Sequence, residues 1–451
     1  MLRSIVIPKG VEVIGDRFFK NCSSLTDVSL PSGLTDIGYE AFYGCSSLTK
    51  VAIPSSLTSI KDFTFYGCSS FTDIVFPSSL TSIGYKAFYG CRSLACVSLP
   101  DGLREISEEA FCGCCSLLQI AVPDSVKFIG NGAFGNCSLL TDVILPSNLD
   151  VLREYVFGNC VSLTHINLPS KITRVDDGAF YGCSSLLEIT LPNSVKALYC
   201  HVFEGCSSLR KVVVGSGIRT LPYNIYGDVR QFLFGTYFQG SNTVEMLTFA
   251  DGEDELEGPV DGTVSCLPLK YLYIGRRIKK EYRMNGKQYS NDTFLVSDSL
   301  KKHLEVLELG NYVTELPWGI ETLESLRRFV SGENITEYTD MSQCSCLSEI
   351  YLRSSVPPSA LDSYFTSRQY AGVSVYVPIG TIAAYKASPV WANFLNIMEW
   401  DSKTTGMSDI KLFPLSNVRY YSPDGILHPG SRHGLNLVRM SDGTVRKVYS
   451  K

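Results

Sequence analysis

The segment LPSGLTDIGYEAFYGCSSL, from Leu30 to Leu48, recurs in closely similar form with a step of 23 residues. Cysteine, phenylalanine and proline keep this step through nine consecutive units, with the prolines running from Pro8 to Pro192. The cysteines are Cys22, Cys45, Cys68, Cys91, Cys114, Cys137, Cys160, Cys183 and Cys206, and the phenylalanines are Phe19, Phe42, Phe65, Phe88, Phe111, Phe134, Phe157, Phe180 and Phe203. A fixed period of this size predicts a stacked array, in which each unit completes its core only against its neighbours.

One unit shows how the period becomes structure. Residues 25–30 alternate in the manner of a short strand, so that Val28 and Leu30 point one way while Asp27 and Ser29 point the other. Pro31 ends the strand because it has no N–H to donate to a ladder. A short helical or irregular turn follows at Ala41 and Phe42. Eight positions in the unit are predicted to face inward: Leu25, Val28, Leu30, Leu34, Ile37, Ala41, Phe42 and Cys45.

This motif resembles the BspA-like subtype of leucine-rich repeats, found in surface proteins of Bacteroidetes and some mucosal parasites. The resemblance covers residues 1–214, which form a regular array with no insertion. It implies an α/β leucine-rich-repeat solenoid with short parallel strands and short helical or irregular convex segments. It also implies a non-catalytic, adhesin-like protein that is secreted or attached to the cell surface. Because the chain starts directly on a repeat strand, we expect a leader and further upstream chain in the native protein.

Residues 215–400 are predicted to be degenerate repeats that continue the same sheet. The strand motif returns four times, at 244–249, 269–274, 304–309 and 347–352. Long insertions in solenoids often lie on the binding face, which draws attention to residues 222–243 and 276–299. Residues 375–400 are similar to the unit that often closes this family's arrays. In that unit we expect a helix beginning at Thr381, with Trp391, Phe394 and Ile397 covering the last coil.

Residues 410–451 are predicted to form a small C-terminal β-hairpin module. Asp442-Gly443 lies between alternating apolar residues, which is a strong hairpin signal. The module is similar to short C-terminal β-modules of secreted Bacteroidetes proteins, some of which act as sorting signals. Whether it sorts, docks or only folds is left open by the residues.

The cysteine column is predicted to contain free, buried thiols. In-register side chains on stacked coils should have β-carbons about 4.8 Å apart, beyond the roughly 3.5–4.5 Å of a disulfide. Each thiol would fill space and donate a weak hydrogen bond to turn backbone. The cysteine clusters lack the second pair of ligands that zinc requires. The acidic run 251–257 lacks the ligand alternation of a calcium loop, so a solvated loop is expected. No cofactor, metal or catalytic group is predicted.

Two aromatic sets are the candidate partner-binding residues. The first lies in the insertion after residue 214 and comprises Tyr223, Tyr226, Phe232, Phe234, Tyr237 and Phe238. The second comprises Tyr43, Tyr66 and Tyr89, which with Tyr181 are expected to stack at one outer position. The outward strand positions, read from Asp27 to Thr190, are mixed and small, without an aromatic strip for sugar stacking. Tyrosine is favoured at binding surfaces because its ring is large and stiff with a polar tip.

Charge and hydropathy limit the classes of partner that we expect. The net charge is −5, with lysines and arginines dispersed, so nucleic acid is not expected as a partner. No apolar run approaches the roughly 20 residues needed for a transmembrane segment. The resemblance to the BspA-like family implies a host or neighbouring-cell surface or matrix protein as the partner, and we expect the chain to be a monomer. The alternative is a structural surface spacer with no dedicated ligand site, and the weakest hypothesis is an enzyme built on the irregular middle region.

Overall fold

The computed structural model describes residues 2–199, 201–219, 243–257, 267–284, 287–290, 295 and 297–402, together with four strands between 419 and 450. The chain divides into two compact units, Met1–Trp400 and Asp401–Lys451. In the part of the chain that the structure describes, no helix combines the length and apolarity that a bilayer crossing requires.

The first unit is a solenoid whose coils stack in parallel register, as predicted. Front strands pair in parallel with the strand one coil later within four groups of successive coils; in the first group, Ser4 lies opposite Asp27 and Asp27 opposite Lys50. The regular front strands are Ser4–Val6, Asp27–Ser29, Lys50–Val51, Asp73–Val75, Cys96–Ser98, Gln119–Ala121, Asp142–Ile144, Glu188–Leu191 and Lys211–Val214. The coil at 163–168 keeps the alternation without a regular strand, because Ile166 is buried between exposed His165 and Asn167.

A second row of two-residue strands, not predicted from the sequence, runs along the back of the solenoid. It arises where the chain returns inward after the turn, as at Asp36 and Ile37, and it also pairs in parallel with a step of one coil. These strands are Val13–Ile14, Asp36–Ile37, Ser59–Ile60, Ser82–Ile83, Glu105–Ile106, Phe128–Ile129, Val151–Leu152, Arg174–Val175 and Ala197–Leu198. The core therefore lies between two narrow parallel ladders.

The predicted inward positions form this core. Seven of the eight positions in the unit are buried, and Leu30 is partly buried against the same cluster. The phenylalanine rings stack face to face from coil to coil, as in Phe42 on Phe65 with centroids 5.3 Å apart and planes 4° apart. Ala41 and Phe42 lie on an irregular turn. Like side chains thus rest on like, and each coil is stabilised by its two neighbours.

The turn before each cysteine needs a left-handed backbone. Gly44 has a φ of 70°, and the same position in the preceding coil is Asn21 with a φ of 61°. Glycine adopts this region without steric penalty, and asparagine is one of the few other residues that tolerate it. Backbone geometry therefore explains why each cysteine of the column is preceded by either Gly or Asn.

The cysteine column is confirmed as a row of free thiols. Each Sγ–H from Cys45 to Cys206 donates to the carbonyl oxygen of the phenylalanine 26 residues earlier, at 3.1–3.4 Å. Cys22, in the first coil, is half-buried, and the others are buried. Cys344 repeats the arrangement in the irregular region, donating to the carbonyl oxygen of Ile320 at 3.3 Å. Burial raises the pKa of the Cys45 and Cys206 thiols to about 12.

We expect the column thiols to resist alkylation in the folded protein. At pH 8 the nucleophilic thiolate is scarce when burial has raised the pKa, and the reagent has no access. Iodoacetamide should modify the exposed Cys96 and Cys346 but leave Cys137 intact until denaturant is added. Mass spectrometry of the digested protein measures each site. Modification of Cys137 in buffer at the rate of Cys96 would contradict the buried column.

The later coils continue the front sheet, as predicted. Nine strands from Glu188–Leu191 onward form one parallel sheet, although the chain length between strands varies. The added strands are Met246–Phe249, Tyr271–Ile274, Val306–Leu309, Arg328–Ser331, Glu349–Leu352, Ser374–Pro378 and Asn396–Trp400. The insertion after residue 276 contributes an antiparallel hairpin, Glu281–Met284 with Lys287–Ser290. It pairs with no other described strand.

Among the described residues the helices are few and short, and all of them lie after residue 297. The α-helices are Asp298–His303, Ser367–Gly372 and Ile382–Ala387, and the 3₁₀-helices are Ile320–Thr322, Asp362–Tyr364 and Trp391–Asn393. The helix expected after Thr381 is present, but the Thr381 hydroxyl donates to the carbonyl oxygen of Pro378 at 2.7 Å and does not cap the helix. Trp391 is buried and donates its indole N–H to the carbonyl oxygen of Pro358 at 2.7 Å.

The described residues of the second unit form four antiparallel strands, Arg419–Tyr421, Leu427–His428, Gly434–Arg439 and Val445–Ser450. The last two pair along their whole length, with Arg439 opposite Val445. The predicted hairpin is therefore present in its strands, while its turn, Asp442-Gly443, lies outside the described residues.

Candidate interaction surfaces

A ladder of stacked tyrosines lies on one flank of the early coils. Tyr43 and Tyr66 stack with centroids 4.6 Å apart, and Tyr66 and Tyr89 with centroids 4.9 Å apart. The Lys20 ammonium lies 4.5 Å from the centroid of Tyr43, at the N-terminal end of the ladder. Burial between its neighbours raises the pKa of Tyr66. The stacking distance matches the strand spacing, because each ring is carried by its own coil.

Tyr181 does not belong to this ladder, contrary to the sequence-based prediction. The positions between it and Tyr89 in the same column are Cys112, Gly135 and Gly158, which carry no ring. Tyr155, from a neighbouring column, packs over Gly158 and meets Tyr181 edge-on at 5.8 Å. A uniform step therefore placed Tyr181 in the correct column, but a stack also requires rings in the intervening coils.

Three more aromatic residues widen the ladder into a patch, named here the aromatic flank: Tyr39, Tyr43, Phe63, Tyr66, Tyr85 and Tyr89. Phe63 meets Tyr85 edge-on at 5.1 Å, and its left-handed backbone, with a φ of 57°, is shared by Glu40 and Lys86 in the adjacent coils. The Lys86 ammonium lies 5.0 Å from the centroid of Tyr85 and 5.3 Å from that of Tyr89. Tyr39 is exposed, and the other five are half-buried.

The outward side chains of the front sheet change in type after residue 214. Up to Thr190 the outward positions are small and mixed, as predicted. Further along the column of Thr190, the strand pairing places Tyr273, Glu308, Tyr351 and Tyr376. An aromatic strip is therefore present on the sheet, but in the irregular coils and not in the regular ones.

A buried ion pair lies within this strip. Arg353 Nη2 is 2.5 Å from Glu308 Oε1, with the two side chains 8% and 1% exposed. The other carboxylate oxygen of Glu308 accepts from the Tyr271 hydroxyl at 2.8 Å, and Arg353 Nη1 donates to the carbonyl oxygen of Leu309 at 3.0 Å. Burial and the nearby Glu308 carboxylate raise the pKa of Tyr271. The pair is thus satisfied on both sides, the condition under which buried charges are tolerated.

Gly310 makes room for the polar groups beside this ion pair. The Tyr273 hydroxyl donates to Asp251 Oδ1 at 2.7 Å, and both atoms lie over Gly310, where a β-carbon would collide with them. Burial, followed by the hydrogen bond to Asp251, raises the pKa of Tyr273. Gly310 is therefore required by close approach of side chains and not by an unusual backbone angle.

Three aromatic rings complete the strip at its C-terminal end. Tyr351 and Tyr376 stack with centroids 4.2 Å apart, and Trp400 meets Tyr351 edge-on at 5.0 Å. All three are half-buried. Arg328 pairs with Glu349 at 2.5 Å, and its guanidinium lies 5.4 Å from the centroid of Tyr351. Burial, followed by the charge of Glu349, raises the pKa of Tyr351 to about 12. The strip from Asp251 to Trp400 is named here the front patch: Asp251, Tyr273, Glu308, Arg328, Glu349, Tyr351, Arg353, Tyr376 and Trp400.

Carboxylates of the acidic run 251–257 form ion pairs with neighbouring cations. A parallel bridge joins Leu256 to Ile278, which sets the acidic segment beside the basic one. Glu257 pairs with Lys279 at 2.5 Å and Glu255 with Arg277 at 3.7 Å. Within the described residues, no group of three or more histidines, cysteines or carboxylates is placed to hold a metal ion.

Only one of the two predicted aromatic sets lies within the described residues. Tyr43, Tyr66 and Tyr89 lie together, whereas Tyr223, Tyr226, Phe232, Phe234, Tyr237 and Phe238 lie outside the described residues. The front patch was not predicted from the sequence, although the strand motifs after residue 214 contain several of its residues. In LKYLYI, at 269–274, the outward positions of the strand motif are Tyr271 and Tyr273, and in LSEIYL, at 347–352, they are Glu349 and Tyr351. Extending the outward positions beyond Thr190 would have found them.

The repeats match a known family. The model described as BspA type leucine-rich repeat region, with six copies, matches residues 1–117 and 104–231. No curated protein sequence matches the chain.

Solved structures of similar fold include three bacterial leucine-rich-repeat proteins. One from T. pallidum is 33% identical, with 41% of this chain and 78% of that chain covered and a TM-score of 0.32. One from Bacteroides ovatus is 20% identical, with coverage of 89% and 85% and a TM-score of 0.42. A leucine-rich cell surface protein from Faecalibacterium prausnitzii is 22% identical, with coverage of 78% and 79% and a TM-score of 0.39.

Proposed function

Because the chain belongs to the BspA-type leucine-rich-repeat family, we propose that it is a non-catalytic protein that binds a protein partner in an adhesin-like role. A repeat scaffold of this kind is consistent with protein interaction, since stacking extends one surface over many coils. The proposal places the protein at the cell surface or in secretion. Its partner would be a surface or matrix protein of a host or neighbouring cell, bound by a monomer.

The aromatic flank is the observation that carries the proposal. Its six rings lie in three successive coils and remain half-exposed or exposed. They are additional to the buried phenylalanine ladder, which already fills the core of the same coils. Tyrosine and phenylalanine are enriched at the centres of protein interfaces, where a stiff ring adds contact area with little loss of conformational entropy.

Charges around the flank favour a protein ligand over a purely apolar one. Arg17 pairs with Glu40 at 3.0 Å, and Lys86 pairs with Glu109 at 3.4 Å. These partly exposed pairs rim the rings with both signs of charge, as is usual around the apolar centre of a protein interface. The aromatic insertion at 222–243 is a second candidate for the same role.

Substitutions on the flank are expected to weaken partner binding without unfolding the chain. Changing Tyr66 and Tyr85 to alanine together should weaken binding by about tenfold or more, since aromatic hot spots at interface centres typically exceed that effect. The readout is a quantitative pull-down of mucosal matrix proteins with the intact chain, followed by biolayer interferometry on the captured protein. Tyr312→Ala is the matched control, because Tyr312 is exposed but lies outside the flank.

Other outcomes separate the alternatives. Loss of binding on changing Tyr226, Phe232 or Tyr237 to alanine, with the flank variant unaffected, would move the site to the insertion. A structural spacer would tolerate both sets of changes, but deletion of a whole coil, such as residues 92–114, would impair its role. Unchanged binding in the flank variant, with thermal unfolding also unchanged, would reject the flank as the binding surface.

A further inference from the structure

We infer that the front patch is a second binding surface and that its ligand is an arginine-bearing peptide segment of a partner protein. The inference is independent of the aromatic flank, because the two surfaces share no residue. It rests on the composition of the patch, on the way it holds its own guanidinium groups and on its charge.

The stack does not need large side chains at the outward positions of the patch. In the regular coils the same column carries no aromatic ring, while the coils pack through their inward positions; its exposed residues include Ser29, Ala52, Val75, Ser98, Ala121 and Ile144. Tyr351 and Tyr376 occupy that column and are also only half-buried. Half-exposed rings in a column that carries no ring in the regular coils are typical of a ligand site.

The patch already binds two guanidinium groups in the same manner. Arg328 lies on the ring of Tyr351 and pairs with Glu349, while Arg353 lies 5.8 Å from the ring centroid of Trp400 and pairs with Glu308. In each case a ring face supports the planar cation and a carboxylate accepts from its edge. Arginine suits this geometry better than lysine, because it stacks and bonds through a rigid fork of donors.

Charge leaves room for a further cation. The patch and the end of the adjacent strand hold four carboxylates, Asp251, Glu308, Glu333 and Glu349, against two guanidinium groups. Asp251 and Glu333 are exposed, and among the described residues neither forms an ion pair. Asp251 accepts from the Tyr273 hydroxyl, and Glu333 from the Asn311 amide at 3.2 Å. An arginine side chain would find a carboxylate beside an aromatic ring at this position.

The test is calorimetric titration of the intact chain with a synthetic peptide in which arginine alternates with serine. We expect binding that weakens with added salt, since the contacts are partly exposed, and no binding of the glutamate counterpart. Asp251→Asn keeps the hydrogen-bond acceptor but removes the charge, and Tyr376→Leu keeps an apolar contact but removes the ring. Each should weaken the arginine peptide about threefold to tenfold, in line with single cation–π and charge contacts.

Asp73→Asn is the matched control. Asp73 is an exposed carboxylate on the same sheet in a regular coil, and it accepts from a hydroxyl, that of Thr72, at 2.8 Å. Thermal unfolding verifies that each variant is folded. Failure of the arginine peptide to bind would overturn the inference, as would equal weakening by Asp73→Asn. Binding of a neutral oligosaccharide at the patch, lost in Tyr376→Leu while the peptide does not bind, would also overturn it.

Discussion

Replacing Arg353 with methionine is expected to lower the free energy of unfolding by about 3–5 kcal/mol, because the change leaves the Glu308 carboxylate buried without a cation. Glu308 is 1% exposed, and within the described part of the chain only the Tyr271 hydroxyl would remain as a side-chain donor to its carboxylate. Methionine keeps much of the arginine stem's volume, so that loss of packing contributes little. Urea denaturation followed by circular dichroism measures the difference.

Two further variants make this first prediction specific to the buried pair. Arg17→Met removes a cation that is 68% exposed from Glu40, which keeps its ion pair with Lys20, and should change stability much less than Arg353→Met. The double variant Arg353→Met/Glu308→Leu should recover most of the loss, because apolar residues of similar size often replace a buried ion pair without penalty. If Arg353→Met were as stable as Arg17→Met, water would have to reach the Glu308 carboxylate after the change.

Replacing Phe111 with alanine is expected to destabilise the solenoid by about 3–5 kcal/mol, through lost burial and the cavity left in the core. Phe111 is fully buried and stacks on Phe88 at 5.2 Å and on Phe134 at 5.7 Å. The cavity therefore lies between two rings that each belong to another coil. Because stability in such arrays passes through neighbour contacts, the variant should also broaden the urea transition as the two halves uncouple.

Phe63→Ala is the control for this second prediction. It removes the same side chain from the aromatic flank, where Phe63 is half-exposed and meets Tyr66 and Tyr85. The change should lower the free energy of unfolding by less than about 1.5 kcal/mol, since part of the ring is already in water. Equal losses for the two variants would show that the buried ladder does not dominate the stability of these coils.

Position alone predicted much of the regular array. A constant step assigns every residue to a column, so the inward face, the free thiols and the contact of Tyr43 with Tyr66 follow from arithmetic and strand spacing. The flank as a whole did not follow. Tyr39, Phe63 and Tyr85 belong to two other columns, and a left-handed turn that the period does not reveal sets the backbone at one of them.

The sequence by itself determined that this chain is a 23-residue repeat solenoid with buried phenylalanine and cysteine columns, because identical spacing forces like side chains into contact. Only the tertiary structure decided that Arg353 reaches Glu308 and that Tyr351 stacks on Tyr376. After residue 214 the coils differ in length, so the register is set by strand hydrogen bonds and not by a fixed count. Arg353 also extends past the adjacent strand to pair on the next one, and spacing along the chain does not specify the direction of a long, flexible side chain.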